Sequence, residues 1–234
     1  MKNQGIIVAL DYPSKSLAME FVSKVDPDLC KLKVGKQLFT ESGPDVVETL
    51  AKKGFDVFLD LKFHDIPNTV HQACKAAVNM GIWMLNVHAI GGKEMLCAAR
   101  DAVPAGDPSK YLVAVTVLTS TSNQDLESLG ITMTIEQMVM KLAKLSADSG
   151  LDGVVCSAHE TESLRQVFGK DFCLVTPGIR PVDSSADDQK RIRTPAQAIS
   201  SGSDYLVIGR PVTQSKDPVT TLKSIRDEIE SVLH

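Results

Sequence analysis

The chain has 234 residues, of which 43% are hydrophobic and 23% are charged, and its formal net charge at pH 7 is −4. This balance is typical of a soluble globular protein and excludes a general attraction for nucleic acids or acidic membranes. No apolar run has the length of a secretory signal or a transmembrane helix. The five cysteines are scattered without a CxxC motif, which indicates reduced thiols and no metal site. We therefore expect a cytoplasmic protein without nucleic-acid or membrane partners.

Eight short apolar segments follow one another along the chain, and a helical pattern follows each of them. The segments are residues 5–11, 29–35, 55–62, 83–89, 111–120, 153–157, 172–180 and 205–210. Strands that alternate with helices imply a parallel sheet built of βαβ units. Eight units in a chain of this length predict an α/β fold, a (β/α)8 TIM barrel formed by a single domain over residues 1–234. A doubly wound open sheet is the alternative, but it usually has fewer strands and often a glycine-rich first turn.

Helix boundaries can also be read from the sequence. Pro44 suits a first helical turn and Gly54 a stop, which predicts a helix between them. Thr134 and Gln137 have the spacing of a capping box at the start of another helix. Before Pro44, residues 36–42 are predicted to form only a polar turn.

Polar residues at the strand ends are the candidates for function, because a TIM barrel has its active site at the C-terminal ends of its strands. Asp60 and Lys62 are two residues apart, so a regular strand places them on one face, and Asp65 follows in the loop. A structural ion pair is the simpler interpretation of Asp60 and Lys62. The first two strands add Asp11 and Lys33. Carboxylates beside a lysine favour its protonated form, so this array predicts an acid–base lysine.

Three further strand ends carry groups that suit a phosphorylated ligand. Thr119 and Ser120 end the fifth segment with hydroxyls that can hydrogen-bond a planar amide ring. Arg180, and Gly209 followed by Arg210, end the seventh and eighth segments, where barrels often bind phosphate. Surface arginines are the alternative. The long polar loop at 181–193 predicts a lid from which Gln189 could reach the substrate, and a solvated loop is equally consistent with its composition.

One segment resembles a known protein family, which the patterns above do not identify by themselves. The run DLKFHDIPNT at 60–69 resembles the signature of the orotidine 5′-phosphate decarboxylase family. The likeness extends over essentially the whole chain, through ALD at 9–11, LKVG at 32–35, NVHA at 86–89, LTS at 118–120, TPGIR at 176–180 and IGR at 208–210. It implies decarboxylation of orotidine 5′-phosphate to uridine 5′-phosphate, without cofactor or metal, in de novo pyrimidine synthesis.

The resemblance also implies a role for each residue that it matches. Lys62 protonates C6 of the pyrimidine as carbon dioxide leaves, and Asp60 lies against the departing carboxylate. Lys33 holds this charge array and contacts the ribose, which Asp11 also binds. Asp65 is supplied across a homodimer interface together with Thr69, so that each active site needs two chains. Thr119 and Ser120 lie where a hydroxyl reads the pyrimidine edge, and the remaining substrate and phosphate contacts fall on Arg180, Gln189, Gly209 and Arg210.

Two other functions fit parts of the pattern. Magnesium-dependent hexulose-phosphate synthases and ketogulonate-phosphate decarboxylases resemble the chain in the Asp-x-Lys-x-x-Asp spacing of Asp60, Lys62 and Asp65. Those enzymes typically have a glutamate metal ligand at the end of the second strand, where this chain has Lys33, and a cation there opposes a divalent metal. A non-catalytic phosphate-binding barrel is the other alternative, but the set of catalytic residues is complete.

Overall fold

The strands form a closed barrel, in which they neighbour one another in the order in which they occur in the sequence. The computed structural model describes residues 5–104, 107, 109–181 and 193–233. Eight parallel strands pair in chain order, and the last pairs with the first. They are β1 (Ile6–Ala9), β2 (Lys31–Gly35), β3 (Val57–Phe63), β4 (Met84–His88), β5 (Tyr111–Val115), β6 (Gly153–Val155), β7 (Cys173–Pro177) and β8 (Tyr205–Ile208). The predicted (β/α)8 TIM barrel is confirmed.

Helices connect successive strands and cover the outside of the barrel. The α-helices within the described ranges are α1 (Lys15–Val22), α2 (Lys36–Ser42), α3 (Pro44–Lys52), α4 (Pro67–Asn79), α5 (Lys93–Ala102), α6 (Asn123–Ser128), α7 (Ile135–Asp148), α8 (Thr161–Phe168), α9 (Pro195–Ser200), α10 (Arg210–Thr213) and α11 (Pro218–Glu230). A 3-10 turn at Ala89–Gly91 follows β4. In this part of the chain, no helix combines the length and the apolar character needed to cross a membrane.

The two predicted helix starts are confirmed, whereas several strands are shorter than their apolar segments. α3 begins at Pro44, and the capping box of Thr134 and Gln137 opens α7. The predicted polar turn at residues 36–42 is wrong, because α2 begins directly after Gly35 and buries Leu38 in the core. The fifth strand ends five residues earlier than its apolar segment, so residues 116–120 form the loop that follows β5.

The barrel interior is apolar in its middle and closed by aromatic rings at the N-terminal ends of the strands. The rings of Trp83, Tyr111 and Tyr205 pack together there, with centroids 5.0–6.1 Å apart. Lys31 Nζ lies 4.3 Å from the Trp83 ring centroid and 2.5 Å from Asp56 Oδ2. The Asp56 carboxylate thus balances the charge of this buried lysine, and the ring face stabilises it further. These contacts close the barrel at the N-terminal ends of its strands.

Candidate active site

A carboxylate held between two lysines forms the centre of the site. Asp60 Oδ1 lies 2.5 Å from Lys62 Nζ, and Asp60 Oδ2 lies 3.4 Å from Lys33 Nζ. Lys33 Nζ also lies 3.3 Å from Asp11 Oδ1. The structure thus brings together four of the predicted residues, from β2, β3 and the segment after β1, in one alternating array of charges. The side chains of Asp60 and Lys33 are only 13% and 10% exposed, so solvent screens their attraction weakly.

The backbone of β3 leaves the regular strand geometry at Lys62. This residue has a φ of 54°, and among the described residues no other non-glycine residue has a positive φ. For a side chain other than glycine this conformation costs about 1–2 kcal/mol. The β3–β4 pairing shifts register between Leu59 and Phe63. Regular alternation therefore does not explain how Asp60 and Lys62 meet, although the sequence pattern paired them correctly.

Asn86 on β4 compensates for this irregularity, and the sequence did not single it out as a site residue. Its side-chain oxygen accepts a hydrogen bond from the backbone N–H of Lys62 at 2.8 Å. Its side-chain nitrogen donates to Asp60 Oδ1 at 2.7 Å. The sequence signal was present, because a buried-strand position with an amide is unusual without a partner.

Competing electrostatic effects act on the Asp60 carboxyl. Burial alone would raise its pKa, since an apolar environment disfavours the charged form. The charges of Lys33 and Lys62, with hydrogen bonds from Lys62 and Asn86, outweigh burial and hold the pKa of Asp60 below its usual range. Asp60 is therefore a carboxylate at neutral pH, and a second anion placed against it is repelled.

A cavity of about 220 Å³ opens beside the charged array. Lys33, Asp60 and Lys62 form one part of its wall, and Thr119 and Ser120 contribute from the loop after β5. The rest of the lining is Phe58, Val115, Val117, Leu118, Val155, Cys156, Pro177 and Val207. A flat, largely apolar ring fits such a space, with hydroxyls for its polar edge and an ammonium group for one of its atoms.

A second cavity of about 160 Å³ adjoins the first through the same two lysines and Asp60. Asp11 lines it, and Gly209 borders Asp11 closely: a Cβ at position 209 would lie 3.7 Å from Asp11 Oδ2. Lys36 and Gln37 also line this cavity, and the sequence did not identify them because they follow the strand end inside a segment predicted as a turn.

The other predicted site residues lie outside these two cavities. Asp65 and Thr69 are exposed, and Asp65 Oδ1 accepts a hydrogen bond from the backbone N–H of Ile66 at 2.7 Å. Arg180 is buried, so the surface-arginine alternative is wrong for it, and its N–H donates to the carbonyl of Arg193 at 3.1 Å. Arg210 is half-buried and begins α10. Gln189 lies outside the described residues, as does most of the predicted lid.

His88 ends β4 next to the array, and its ring centroid is 5.7 Å from that of His64. Burial lowers the pKa of His88 below its ordinary 6.5, and the charges of His64, Lys36 and Lys62 act in the same direction, with Asp60 opposing them. Because the pKa of His88 is lower in the folded state than in the unfolded state, the unfolded state takes up a proton first as the pH falls. The protein therefore loses stability as the pH falls below about 6.5 and keeps this contribution in full above it.

We therefore expect acid to destabilise the wild-type protein more than a His88→Gln variant. Thermal melts followed by circular dichroism between about pH 7.5 and pH 5.5 should show the wild-type Tm falling faster than that of the variant. Parallel falls would contradict the depressed pKa.

The described residues contain no group of three or more His, Cys, Asp or Glu side chains placed to hold a metal ion. Near the array the carboxylates of Asp11 and Asp60 instead contact lysine ammonium groups. The donor set of this site is thus arranged around cations that the chain itself supplies.

Comparisons with known proteins agree on one family. The model of the orotidine 5′-phosphate decarboxylase / HUMPS family matches residues 4–225. The orotidine 5′-phosphate decarboxylase of Nitrosomonas europaea is 58% identical over 233 residues, which cover all of both chains, and that of Nitrosospira multiformis is 56% identical over 99% of this chain and 96% of its own. The crystal structure of the enzyme from Lactobacillus acidophilus superposes with a TM-score of 0.87 at 39% identity, covering 97% of this chain and 99% of that chain. The chain belongs to the orotidine 5′-phosphate decarboxylase / HUMPS family.

Proposed function

We propose that this protein decarboxylates orotidine 5′-phosphate to uridine 5′-phosphate and carbon dioxide, without cofactor or metal, in de novo pyrimidine synthesis. The observation that carries the proposal is the Asp60 carboxylate fixed between Lys33 and Lys62 at the wall of a cavity. Relatives with this activity in their names match the chain from end to end and support the same assignment.

Lys62 is the proton donor in this proposal. Loss of carbon dioxide leaves an electron pair at C6 in the plane of the ring, where the ring carbonyls cannot delocalise it. An ammonium group already in place stabilises this developing charge without reorganisation, and it then transfers its proton to C6. The contact between Lys62 Nζ and Asp60 Oδ1 keeps the ammonium group at one point of the wall.

Asp60 acts on the group that leaves. The substrate carboxylate would lie near the Asp60 carboxylate, and the two negative charges repel each other until the C–C bond breaks, the carboxylate departs as neutral carbon dioxide and the electron pair stays on C6. The apolar part of the lining, including Val155 and Val207, solvates carbon dioxide better than it solvates a carboxylate. Thr119 and Ser120 would hydrogen-bond the polar edge of the pyrimidine.

The second cavity suits the ribose and the phosphate. Asp11 and Lys33 would bind the sugar hydroxyls from the wall that both cavities share. Gly209 borders Asp11, so the β8 end lies next to the sugar position, where its backbone can approach a phosphate. Arg210 and Arg180 supply the charge that a protein of net charge −4 needs locally for an anionic ligand. Gln189, for which the support is the sequence resemblance, would also contact the substrate.

A homodimer with shared active sites completes the proposal. Asp65 is exposed and lines neither cavity of its own chain, so its role requires another chain. Beside it Ile66 is 67% exposed, and Ile90 after β4 is 53% exposed, which suits a surface that a second copy covers. Thr69 lies on the same exposed segment. We place the protein in the cytoplasm, where its five free cysteines would stay reduced.

The second candidate function is that of the magnesium-dependent hexulose-phosphate synthases and ketogulonate-phosphate decarboxylases, whose Asp-x-Lys-x-x-Asp spacing Asp60, Lys62 and Asp65 also satisfy. Those magnesium enzymes typically have a glutamate metal ligand at the end of the second strand. Here Lys33 reaches Asp60 and Asp11 from β2, so its ammonium group competes with a divalent cation for the same carboxylates. This contact favours the decarboxylase.

A single assay separates these candidates. We expect purified protein to convert orotidine 5′-phosphate at an undiminished rate in excess EDTA, followed by the change in pyrimidine absorbance, because Lys62 supplies the positive charge. Substrate that stays intact under all conditions would overturn the proposal. Turnover that EDTA abolishes and magnesium restores would instead support a metal-dependent relative.

A further inference from the structure

We propose that Asn86 is a positioning residue for the reaction, which holds the backbone of Lys62 and the carboxylate of Asp60 in their working geometry. The inference rests on the proposed function. Asn86 lines neither cavity, so it acts through the residues that it contacts and not on the substrate.

Both ends of the Asn86 amide are engaged with the charged array. The side chain is in the middle of β4, and the residue is 1% exposed. Its oxygen accepts from the Lys62 N–H at 2.8 Å, and its nitrogen donates to Asp60 Oδ1 at 2.7 Å. Since Lys62 Nζ contacts the same Asp60 oxygen at 2.5 Å, the three residues form a closed ring of hydrogen bonds.

The first of these bonds replaces a missing contact between strands. Where β3 shifts register against β4, the N–H of Lys62 bonds to the Asn86 side chain. Lys62 also has a positive φ, which a lysine adopts only when its surroundings stabilise it. Asn86 therefore fixes the direction in which the Lys62 side chain leaves the strand.

The second bond sets the rotation of the Asp60 carboxylate. With Oδ1 shared by Asn86 and Lys62, Oδ2 is turned toward Lys33 at 3.4 Å. Each lysine thus has its own oxygen. Rotation of this carboxylate would move one ammonium group away from its place at the cavity wall, and a misplacement of about 1 Å can cost about 100-fold in rate.

Replacement of Asn86 by leucine tests the inference, because leucine has a similar volume and forms neither hydrogen bond. We expect kcat to fall about 100-fold, while the Kd for uridine 5′-phosphate changes less than about threefold. The matched control is Thr176→Val. Thr176 is a fully buried residue on β7 whose hydroxyl bonds to Ser203 at 2.7 Å, so this variant loses a buried hydrogen bond away from the array. We expect the Tm of Thr176→Val to fall by an amount similar to that of Asn86→Leu, while its kcat stays unchanged.

An Asn86→Asp variant separates positioning from general weakening. An ionised carboxyl at position 86 cannot donate to Asp60 and repels it, but a protonated one can replace both amide bonds. The charged and titratable groups around it are Asp60 and Lys62 on β3, Lys33 beyond them and His88 on β4, while β5 presents Val113 opposite. We expect the kcat of this variant, divided by that of the wild type at the same pH, to rise as the pH falls from about 8 to about 5. The same ratio for Asn86→Leu should stay flat.

Three outcomes would overturn the inference. The first is an Asn86→Leu kcat within about threefold of the wild type, the second is an equal loss of kcat in Thr176→Val, and the third is equal pH dependence of the aspartate and leucine variants. Failure of the proposed function is recognised separately, because the wild-type protein itself would then leave orotidine 5′-phosphate unchanged.

Discussion

Replacement of Lys62 by alanine should lower kcat about 10⁴-fold or more and leave binding of uridine 5′-phosphate nearly intact. The substitution removes both the proton donor, typically worth about 10²–10⁴-fold, and a preorganised charge at the cavity wall. Binding persists because the groups proposed for the ribose and phosphate, Asp11 and Gly209, lie in the neighbouring cavity or on its border. Rate measurements with orotidine 5′-phosphate and calorimetric titration with uridine 5′-phosphate give the two quantities.

A Lys62→Arg variant distinguishes proton transfer from charge alone. Arginine keeps the positive charge but does not give up its proton readily, so we expect this variant to stay inactive as well. The control is Lys110→Ala, which removes a lysine that donates to the Ile82 carbonyl away from the cavities. Near-normal turnover of Lys62→Ala would contradict its role as acid. Recovery by arginine would assign the effect to charge and not to proton donation.

The charged array was predictable because each member ends or follows an apolar strand segment. A closed parallel barrel gathers such ends at one rim, so the sequence alone predicts that Asp11, Lys33, Asp60 and Lys62 lie near one another. The ion pairs of Asp60 with Lys62 and Lys33, and of Lys33 with Asp11, confirm that expectation. What a linear pattern supplies is which strand end carries each group.

The internal geometry of the array was not predictable in the same way. The left-handed backbone of Lys62 depends on a register shift between β3 and β4, which alternation within one strand does not encode. Asn86 matters because of its partners on the neighbouring strand. α2 was missed because its helix follows β2 without any loop, and the burial of Leu38 stabilises it through tertiary packing.

The exposure of Asp65 predicts a second large loss of activity, which depends on an active site shared between two chains. If each active site takes Lys62 from one chain and Asp65 from the other, Asp65→Ala should lower kcat by at least about 100-fold, although it leaves the charged array of its own chain intact. A mixed dimer of Lys62→Ala and Asp65→Ala chains then has one site with both substitutions and one site with neither. Mixing two inactive proteins should therefore restore turnover.

The size of the recovery follows from the pairing of chains. With equal amounts and random exchange, about half of the dimers are mixed and each has one intact site of two, so the mixture should reach about a quarter of wild-type specific activity. The matched control mixes Lys62→Ala with Asp60→Ala. Those two side chains touch within one chain, so every mixed dimer would still have a substitution in both sites and should remain inactive. Native mass spectrometry verifies that chains exchange. Exchange without recovery in the first mixture would rule out the shared site, and recovery in both mixtures would show that subunit contact repairs the array by a route other than Asp65.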